Sequence, residues 1–425
     1  MKRFLFFYFA ILIISLSSCI SEKPKGKKEK LEIQVWGSYK EVQIIKDSIK
    51  KFNDIYPQLK IELSHAPQGE GYVERILTRA AANDLPDIIF CEVNFIDRFI
   101  EKNILADLTP YLKKDGDISE TDFFPQIINR FKKGKKLYAL PRDVAPFACI
   151  YYNKSLFDRE GIPYPADDWD IYEFLEVAKK LTKGTGVKKQ YGFTTWVWKN
   201  FIYAFNGKLV DDIKNPKKCL LGKKQAINGM KFYRDLIYKY KVMPSPESVE
   251  MGYNQMFMTG KVAMYGSGIW ETPIFREIKK FKWDIVMFPK GPEGNRGFAT
   301  GGSGYAISAT SKNKELAFKF LKLIAGKEGE LKLAETGLAQ PALKELAYSK
   351  FWAGDTSSSP INKKMLNKAV EYIIFNPMIS EWQEIEEKII SPRIDLIVRN
   401  QLDVEKGLKE AEKEVNKILE KRLKK

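Results

Sequence analysis

Tryptophans and carboxylates stand where elements end, and that placement is the first sign of chemistry in this chain. Trp36 closes an alternating apolar stretch, Leu31 to Val35. Trp196 and Trp198 follow the strand-like Tyr191-Gly-Phe-Thr-Thr195. Trp270 comes after Gly266-Ser-Gly-Ile269, a turn behind the apolar run Val262–Tyr265, and Trp382 lies in Ile379-Ser-Glu-Trp-Gln383. Glu92 directly follows the buried-type run Ile88–Cys91, and Asp143 follows Pro141. Flat rings at loop positions offer surfaces for C–H faces. Carboxylates beside them accept from hydroxyls, which are costly to desolvate unpaired. That is recognition chemistry, and other chemistries lack their parts. There is one histidine, His65, so a His-rich zinc site within one chain is excluded. No Cys-x-x-Cys and no Gly-x-Ser-x-Gly occurs. The run Gly301-Gly302-Ser303-Gly304 lets a backbone approach a ligand closely, but it lacks the lysine of a P-loop. No metal and no cofactor is expected.

The positions of these residues depend on the elements between them. Leu31–Val35 and Leu59–Leu63 alternate apolar and polar residues, as half-buried strands do. Glu41–Tyr56 carries Val42, Ile45, Ile49 and Phe52 at helical spacing and stops before Pro57; Tyr72–Ala82 and Phe95–Lys102 are further helices. Strand, helix, strand, helix, strand predicts a parallel α/β layer. The pattern returns in kind after Pro141. Phe147–Tyr152, Val262–Tyr265 and Trp283–Phe288 read as strands, and Trp169–Leu181 and Gly222–Tyr240 as helices. Lys314–Ala325 is another helix, and nearly everything from Asn362 onward is helical. The last helix shows a stripe of Val404, Leu408, Ala411, Val415, Ile418 and Leu419.

The chain has 425 residues, enough for two substantial cores. Its composition is 44% hydrophobic and 29% charged, which excludes a disordered chain, and the only long apolar run is at the N-terminus, which excludes a multispan transporter. The net charge is +17. The lysines are spread along the chain and alternate with glutamates on helices such as Lys406–Lys425, so a nucleic-acid partner is not expected.

Met1-Lys-Arg3, the apolar Phe4–Ile14 and Leu16-Ser-Ser-Cys19 form a signal peptide that ends in a lipobox-like cleavage site. Residues 1–18 are then removed, Cys19 is lipidated, and residues 19–30 form a polar tether. Cys91, Cys149 and Cys219 remain, an odd count that leaves at least one free thiol; Cys91 and Cys149 stand at strand-like apolar runs and are expected to be buried, inert thiols, with a Cys91–Cys149 disulfide left open by the sequence.

Several ordered segments carry a resemblance. They are Val35-Trp-Gly-Ser38, Ala80-Ala-Ala-Asn-Asp-Leu-Pro-Asp-Ile88, Asn103–Leu108, Leu137-Tyr-Ala-Leu-Pro-Arg-Asp143, Tyr151-Tyr-Asn-Lys154, Phe257-Met-Thr-Gly-Lys261 with Gly268-Ile-Trp270, and Gly301–Ser308. In this order, after a lipobox, the chain resembles the extracellular solute-binding proteins of ABC sugar importers, the group that includes maltose-binding protein. The resemblance implies a two-lobed α/β fold of the type II periplasmic-binding-protein kind. Lobe 1 would be residues 31–143 and 290–323. Lobe 2 would be residues 144–289 and 324–425, with the final helices packed on one lobe. Crossovers would fall near Pro141–Pro146, near Val286–Gly291 and after Leu323, with the ligand in the cleft between the lobes.

The function so implied is capture of a sugar, without catalysis, by a lipid-anchored monomer on the outer face of the cell membrane, and its delivery to permease subunits. The expected binding residues are Trp36, Ser38, Glu92, Asp143, Trp196, Trp198, Trp270, Gly302 and Trp382, with Arg142 able to pair with a carboxylate or an acidic ligand. Trp270 matches the family position at which a ring stacks on the ligand. Cys91 stands where maltose-binding protein has a tryptophan, which weakens any case for maltose. A secreted carbohydrate-active enzyme, a binder of acidic sugars or polyol phosphates, and a protein serving a sensor remain as alternatives.

Overall fold

A computed structural model describes residues 29–66, 71–249 and 251–424. The segments expected to be signal peptide and tether lie outside the described residues, Cys19 included, apart from the last two residues of the tether. Among the described residues, no helix is long and apolar enough to cross a membrane.

The first sheet starts as the alternation predicts. Strand Lys30–Trp36 buries Leu31, Ile33 and Val35 completely and pairs in parallel with Lys60–Ala66 on one side and Ile88–Glu92 on the other. The intervening helices Tyr39–Ile55 and Tyr72–Ala81 supply the crossovers that parallel strands require. The first helix is held at its start by a capping box in which Ser38 and Glu41 satisfy each other's backbone N–H. A strand from much later in the chain, Ser303–Ile307, then inserts antiparallel between Ile88–Glu92 and Leu140–Pro141. This insertion sets Ser303 directly opposite Glu92.

The second sheet has the order Trp283–Met287, Cys149–Asn153, Val262–Ser267, Tyr191–Thr195 and is mixed, with one parallel pair. Nearly every residue in it is buried, because helices such as Ile171–Leu181 and Lys224–Tyr238 cover it. The final helix Val404–Leu423 buries Val404, Leu408, Ala411, Val415 and Leu419 in the same core and leaves Ile418 half-buried.

Two hydrophobic cores result. A short four-stranded ribbon connects them: Gln340–Pro341, Asp143–Pro146, Phe298–Gly301, Ile373–Ile374. Asp143–Pro146 leads from the first sheet into the second, and Phe298–Gly301 leads back into Ser303–Ile307. The crossover expected near Val286–Gly291 therefore lies later, at Phe298–Gly301. Trp283–Met287 still completes the second sheet, and Phe298 and Ala299 still pack in the second core. The C-terminal part also departs from expectation. A stretch containing strand Ile373–Ile374 interrupts its helices, and Leu343, Leu346, Ala347, Val370 and Phe375 pack in the first core rather than the second. Their apolar faces are too short and too scattered to be assigned to a core by periodicity.

Cys91, Cys149 and Cys219 are free and buried. Burial pushes all three thiols up from the ordinary thiol value, Cys219 to about 12, so none is a thiolate at neutral pH.

Candidate functional site

A cavity of about 720 Å³ lies between the cores, beside the ribbon. Its first-core wall is built at the ends of three strands. Trp36 ends the first strand and leans on Tyr72, Phe90 and Phe95, with ring centroids 5.7, 5.8 and 5.6 Å away. Gly37 follows at φ +141°, a conformation L-residues rarely adopt, and a Cβ there would stand 2.7 Å from Glu41 Oε2. The same turn is tied by His65, whose Nε2 lies 2.9 Å from the Gly37 carbonyl.

Ser38 is largely committed to its cap: its N–H donates to Glu41 Oε2 at 2.7 Å and its hydroxyl at 3.0 Å. Glu41 uses its other oxygen to accept from Arg142 Nη2 at 2.6 Å. Arg142 Nε donates to Asp143 Oδ2 at 2.8 Å, and its guanidinium lies 5.1 Å from the centre of the Phe90 ring. Asp143 also accepts from Ser303 N–H at 3.0 Å and from the Ser303 hydroxyl at 2.5 Å. Burial pushes Asp143 up from the ordinary carboxylate value, while Arg142 and Ser303 oppose the rise. Burial pushes Glu41 the same way, but the charge and hydrogen bond of Arg142 outweigh it and hold Glu41 below its usual value.

Glu92 is different. It ends its strand half-buried, facing the cavity, and among the described residues its carboxylate has no hydrogen-bond partner. Burial, reinforced by the negative charge of Asp143 and only partly opposed by Arg142, pushes it up to about 8. Below about pH 4.5 the group is neutral in both the folded and unfolded chain. Between there and about 8 the unfolded chain loses the proton and the folded chain keeps it, so stability falls as pH rises. Glu92→Gln is therefore expected to stabilise the unliganded protein at pH 7–8, by an amount that vanishes near pH 4. Urea unfolding at the two pH values checks this, and an equal effect at both refutes it.

The second-core wall is aromatic. Phe147, Trp196 and Trp270 form a cluster with centroid separations of 5.1 Å (Phe147–Trp196), 5.2 Å (Phe147–Trp270) and 6.3 Å (Trp196–Trp270). Trp196 is 39% exposed. It is presented by a tight turn in which Val197 N–H donates to Thr195 Oγ1 at 3.0 Å. Trp270 sits in the short turn Ile269–Glu271, where Glu271 accepts from Tyr265 and Ser267. Its indole folds back over Gly268, so closely that a Cβ there would lie 1.8 Å from Trp270 Cζ3. Gly268 has an ordinary φ of −104°, so close approach and not dihedral freedom demands the glycine. Gly268→Ala is expected to swing the indole off its platform and weaken ligand binding at least tenfold while leaving thermal stability within a few degrees; unchanged affinity would refute this placement.

At the mouth, Lys40 reaches across from the first-core side to the Pro273 carbonyl at 3.4 Å and Glu277 at 3.7 Å. At the opposite end, Asn94 accepts from Asn376 Nδ2 at 3.2 Å, and Asn376 is fixed by Lys199 and Glu386. Gly302, at φ +141°, brings its backbone to the cavity between the two carboxylate-bearing strands; a Cβ there would meet Ile127 at 2.7 Å.

The structure thus gathers Trp36, Ser38, Glu92, Asp143, Trp196, Trp270 and Gly302 around one cavity. It does not bring Trp198 or Trp382 there. Trp382 is 1% exposed in the second core, on the buried face of its helical turn. Trp198 opens helix Trp198–Ala204 and packs against that same core, because the turn before it sends neighbouring rings to different sides. Phe147 and Asn94 join the lining without having been singled out from sequence. Phe147 reads as the start of an apolar strand. Asn94 had one signal, its place two residues after Glu92. Among the described residues, no group of His, Cys, Asp and Glu is arranged to hold a metal ion.

Residues 36–331 match the family model of the bacterial extracellular solute-binding proteins. The galactooligosaccharide-binding protein of Bacillus subtilis is 26% identical over 367 residues, covering 81% of this chain and 82% of its own length. Among solved structures, an ABC substrate-binding protein from Listeria monocytogenes in complex with cycloalternan is similar at a TM-score of 0.82. It shows 23% identity and covers 92% of this chain and 99% of its own. Maltose-bound MalE3 of T. maritima is similar at 0.78, with 21% identity and 92% and 99% coverage. The two-core architecture with a shared cavity and the match over most of the described residues agree: this chain belongs to the bacterial extracellular solute-binding proteins.

Proposed function

We propose that this protein is the substrate-binding lipoprotein of an ABC importer, that it captures a saccharide in the cavity between the cores, and that it hands the saccharide to a membrane permease. The observation that carries the reading is the pairing of unlike walls: an aromatic cluster, Phe147–Trp196–Trp270, across from polar groups at Glu92 and Gly302 that can meet hydroxyls. A pyranose has apolar C–H faces and a polar edge, and this cavity offers a surface for each. The ligands of similar proteins, a galactooligosaccharide, cycloalternan and maltose, support the same class. The two-stranded crossing at Asp143–Pro146 and Phe298–Gly301 is suited to hinge closure over a ligand.

Binding without turnover is the better reading of the carboxylates. A glycosidase needs two carboxyl groups free to act on the scissile bond. Asp143 already accepts from Arg142 and twice from Ser303, Glu41 is held by Arg142 and Ser38, and Glu277 stands at the mouth beside Lys40, so no second carboxyl of the lining is free to act with Glu92.

The test is thermal unfolding of the purified protein against mono-, di- and oligosaccharides. A saccharide at about 100 times its dissociation constant adds about 2.7 kcal/mol and raises the midpoint. A ligand recovered intact supports a binding protein, one that is consumed points to an enzyme, and no shift across the panel overturns the sugar reading. Anchoring has its own test. Cys19→Ser is expected to release the protein from the membrane fraction, and retention there refutes lipidation at Cys19.

A further inference from the structure

The charge of the cavity runs against the charge of the protein. The chain carries +17 overall, yet the cavity lining holds four carboxylates, Glu41, Glu92, Asp143 and Glu277, against two cations, Lys40 and Arg142. Both cations are already engaged. Arg142 bonds Glu41 and Asp143, at 2.6 and 2.8 Å, and is 6% exposed. Lys40 sits 3.7 Å from Glu277 at the mouth. The first-core wall therefore keeps one net negative charge in its ion-paired triad and a second carboxylate, Glu92, that faces the cavity with no protein partner among the described residues.

A half-buried carboxylate in this position calls for donors from the ligand. A hydroxyl supplies one, and an ammonium group supplies donors together with the opposite charge. The facing rings of Phe147, Trp196 and Trp270 add to this, since aromatic faces attract cations. An added carboxylate or phosphate would meet the net negative charge of the triad and the negative faces of the rings, and would set a second anion against Glu92 whenever Glu92 is ionised.

We propose that Glu92 is a charge-selecting residue, and that the cavity prefers a saccharide bearing a protonated amine to its hydroxyl counterpart and rejects uronic acids and sugar phosphates. This rests on the reading of the cavity as a saccharide site. In the empty protein Glu92 holds its proton at pH 7, and a bound ammonium takes that proton's place, offsetting the burial and the repulsion from Asp143 that hold it there.

The experiment measures dissociation constants by calorimetry for glucose and galactose, their 2-amino-2-deoxy forms and their uronic acids, with raffinose and maltotriose as neutral controls. It uses the wild-type protein and Glu92→Gln, at pH 7 and fixed ionic strength. In the wild type the amino sugar is expected to bind at least tenfold tighter than its parent, and the uronic acid at least tenfold more weakly. In Glu92→Gln the three should fall within about threefold of one another. Equal binding of the three by the wild type, preference for a neutral or acidic form over the amine, or a gap that survives in Glu92→Gln would each overturn the proposal. If neither the six monosaccharides nor the two controls bind, the saccharide reading itself fails, and that result is distinct from loss of charge preference among sugars that do bind.

Discussion

Trp270→Ala is expected to weaken saccharide binding by about 2 kcal/mol or more, roughly thirtyfold in dissociation constant, as the loss of a buried aromatic anchor does. The indole contributes to the site in two ways. It presents a face to the cavity, and it braces Phe147 and Trp196, with centroids 5.2 and 6.3 Å away, so its removal loosens the whole wall. Its other side packs on the small apolar group Leu333, Leu338 and Ala339, so part of the cost falls on stability. Trp270→Phe separates the two effects. A flat ring retained at this position should recover most of the affinity, whereas a purely structural role predicts recovery of the melting temperature without recovery of binding. Titration by intrinsic fluorescence, which reports on Trp36 and Trp196 in the same cavity, provides the measurement. Unchanged affinity in the alanine variant would remove Trp270 from the site.

The second large effect concerns Arg142. Arg142→Met keeps the bulk of the side chain and removes the charge shared by Glu41 and Asp143. Deleting one member of a buried ion pair costs about 3–5 kcal/mol, because the partners stay buried without compensation. Two carboxylates would be left facing each other, with Glu92 close by in the same cavity. The pH dependence gives a signature. In the wild type, Glu41 is held below its usual value, so it contributes stability above the ordinary carboxylate range that is lost as pH falls. In the variant the carboxylates are raised instead, and stability is lost as pH rises through and above that range. Urea unfolding at pH 4.5 and 7.5 should therefore show the deficit at the higher pH and much of it repaired at the lower. A deficit under about 1 kcal/mol at pH 7.5 would mean that water already screens the triad.

Much of this site can be read from sequence because its residues stand at punctuation marks. Trp36, Glu92 and Trp270 each follow a strand that betrays itself by apolar patterning, and a residue just past a strand end in an α/β layer faces the crevice. Asp143 is legible for the same reason, at a proline-marked crossover. What stays hidden is what depends on partners distant in the chain. Nothing local shows that Asp143 is committed to Ser303, 160 residues away, or that Glu41, whose local role as a helix cap is plain, also holds Arg142. Trp382 misleads because Ser380 and Glu381 make its surroundings look polar, while tertiary packing buries the ring. The insertion of Ser303–Ile307 into the first sheet is equally unreadable, since strand order is set by long-range pairing that no period in the sequence records.

The link from Lys40 to Pro273 and Glu277 has a consequence for kinetics. Its charged ends are 52% and 65% exposed, so the pair is solvated, screened by salt and worth little. A weak clasp at the entrance cannot set how long a sugar stays. In the proposed saccharide site, residence time then belongs to the rings and carboxylates inside, and the entrance acts on passage in both directions alike. Raising ionic strength should hasten capture and escape by similar factors while the dissociation constant of a neutral sugar barely moves. Such a carrier could trade exchange speed independently of affinity, by substitutions at a few solvent-facing atoms of the entrance.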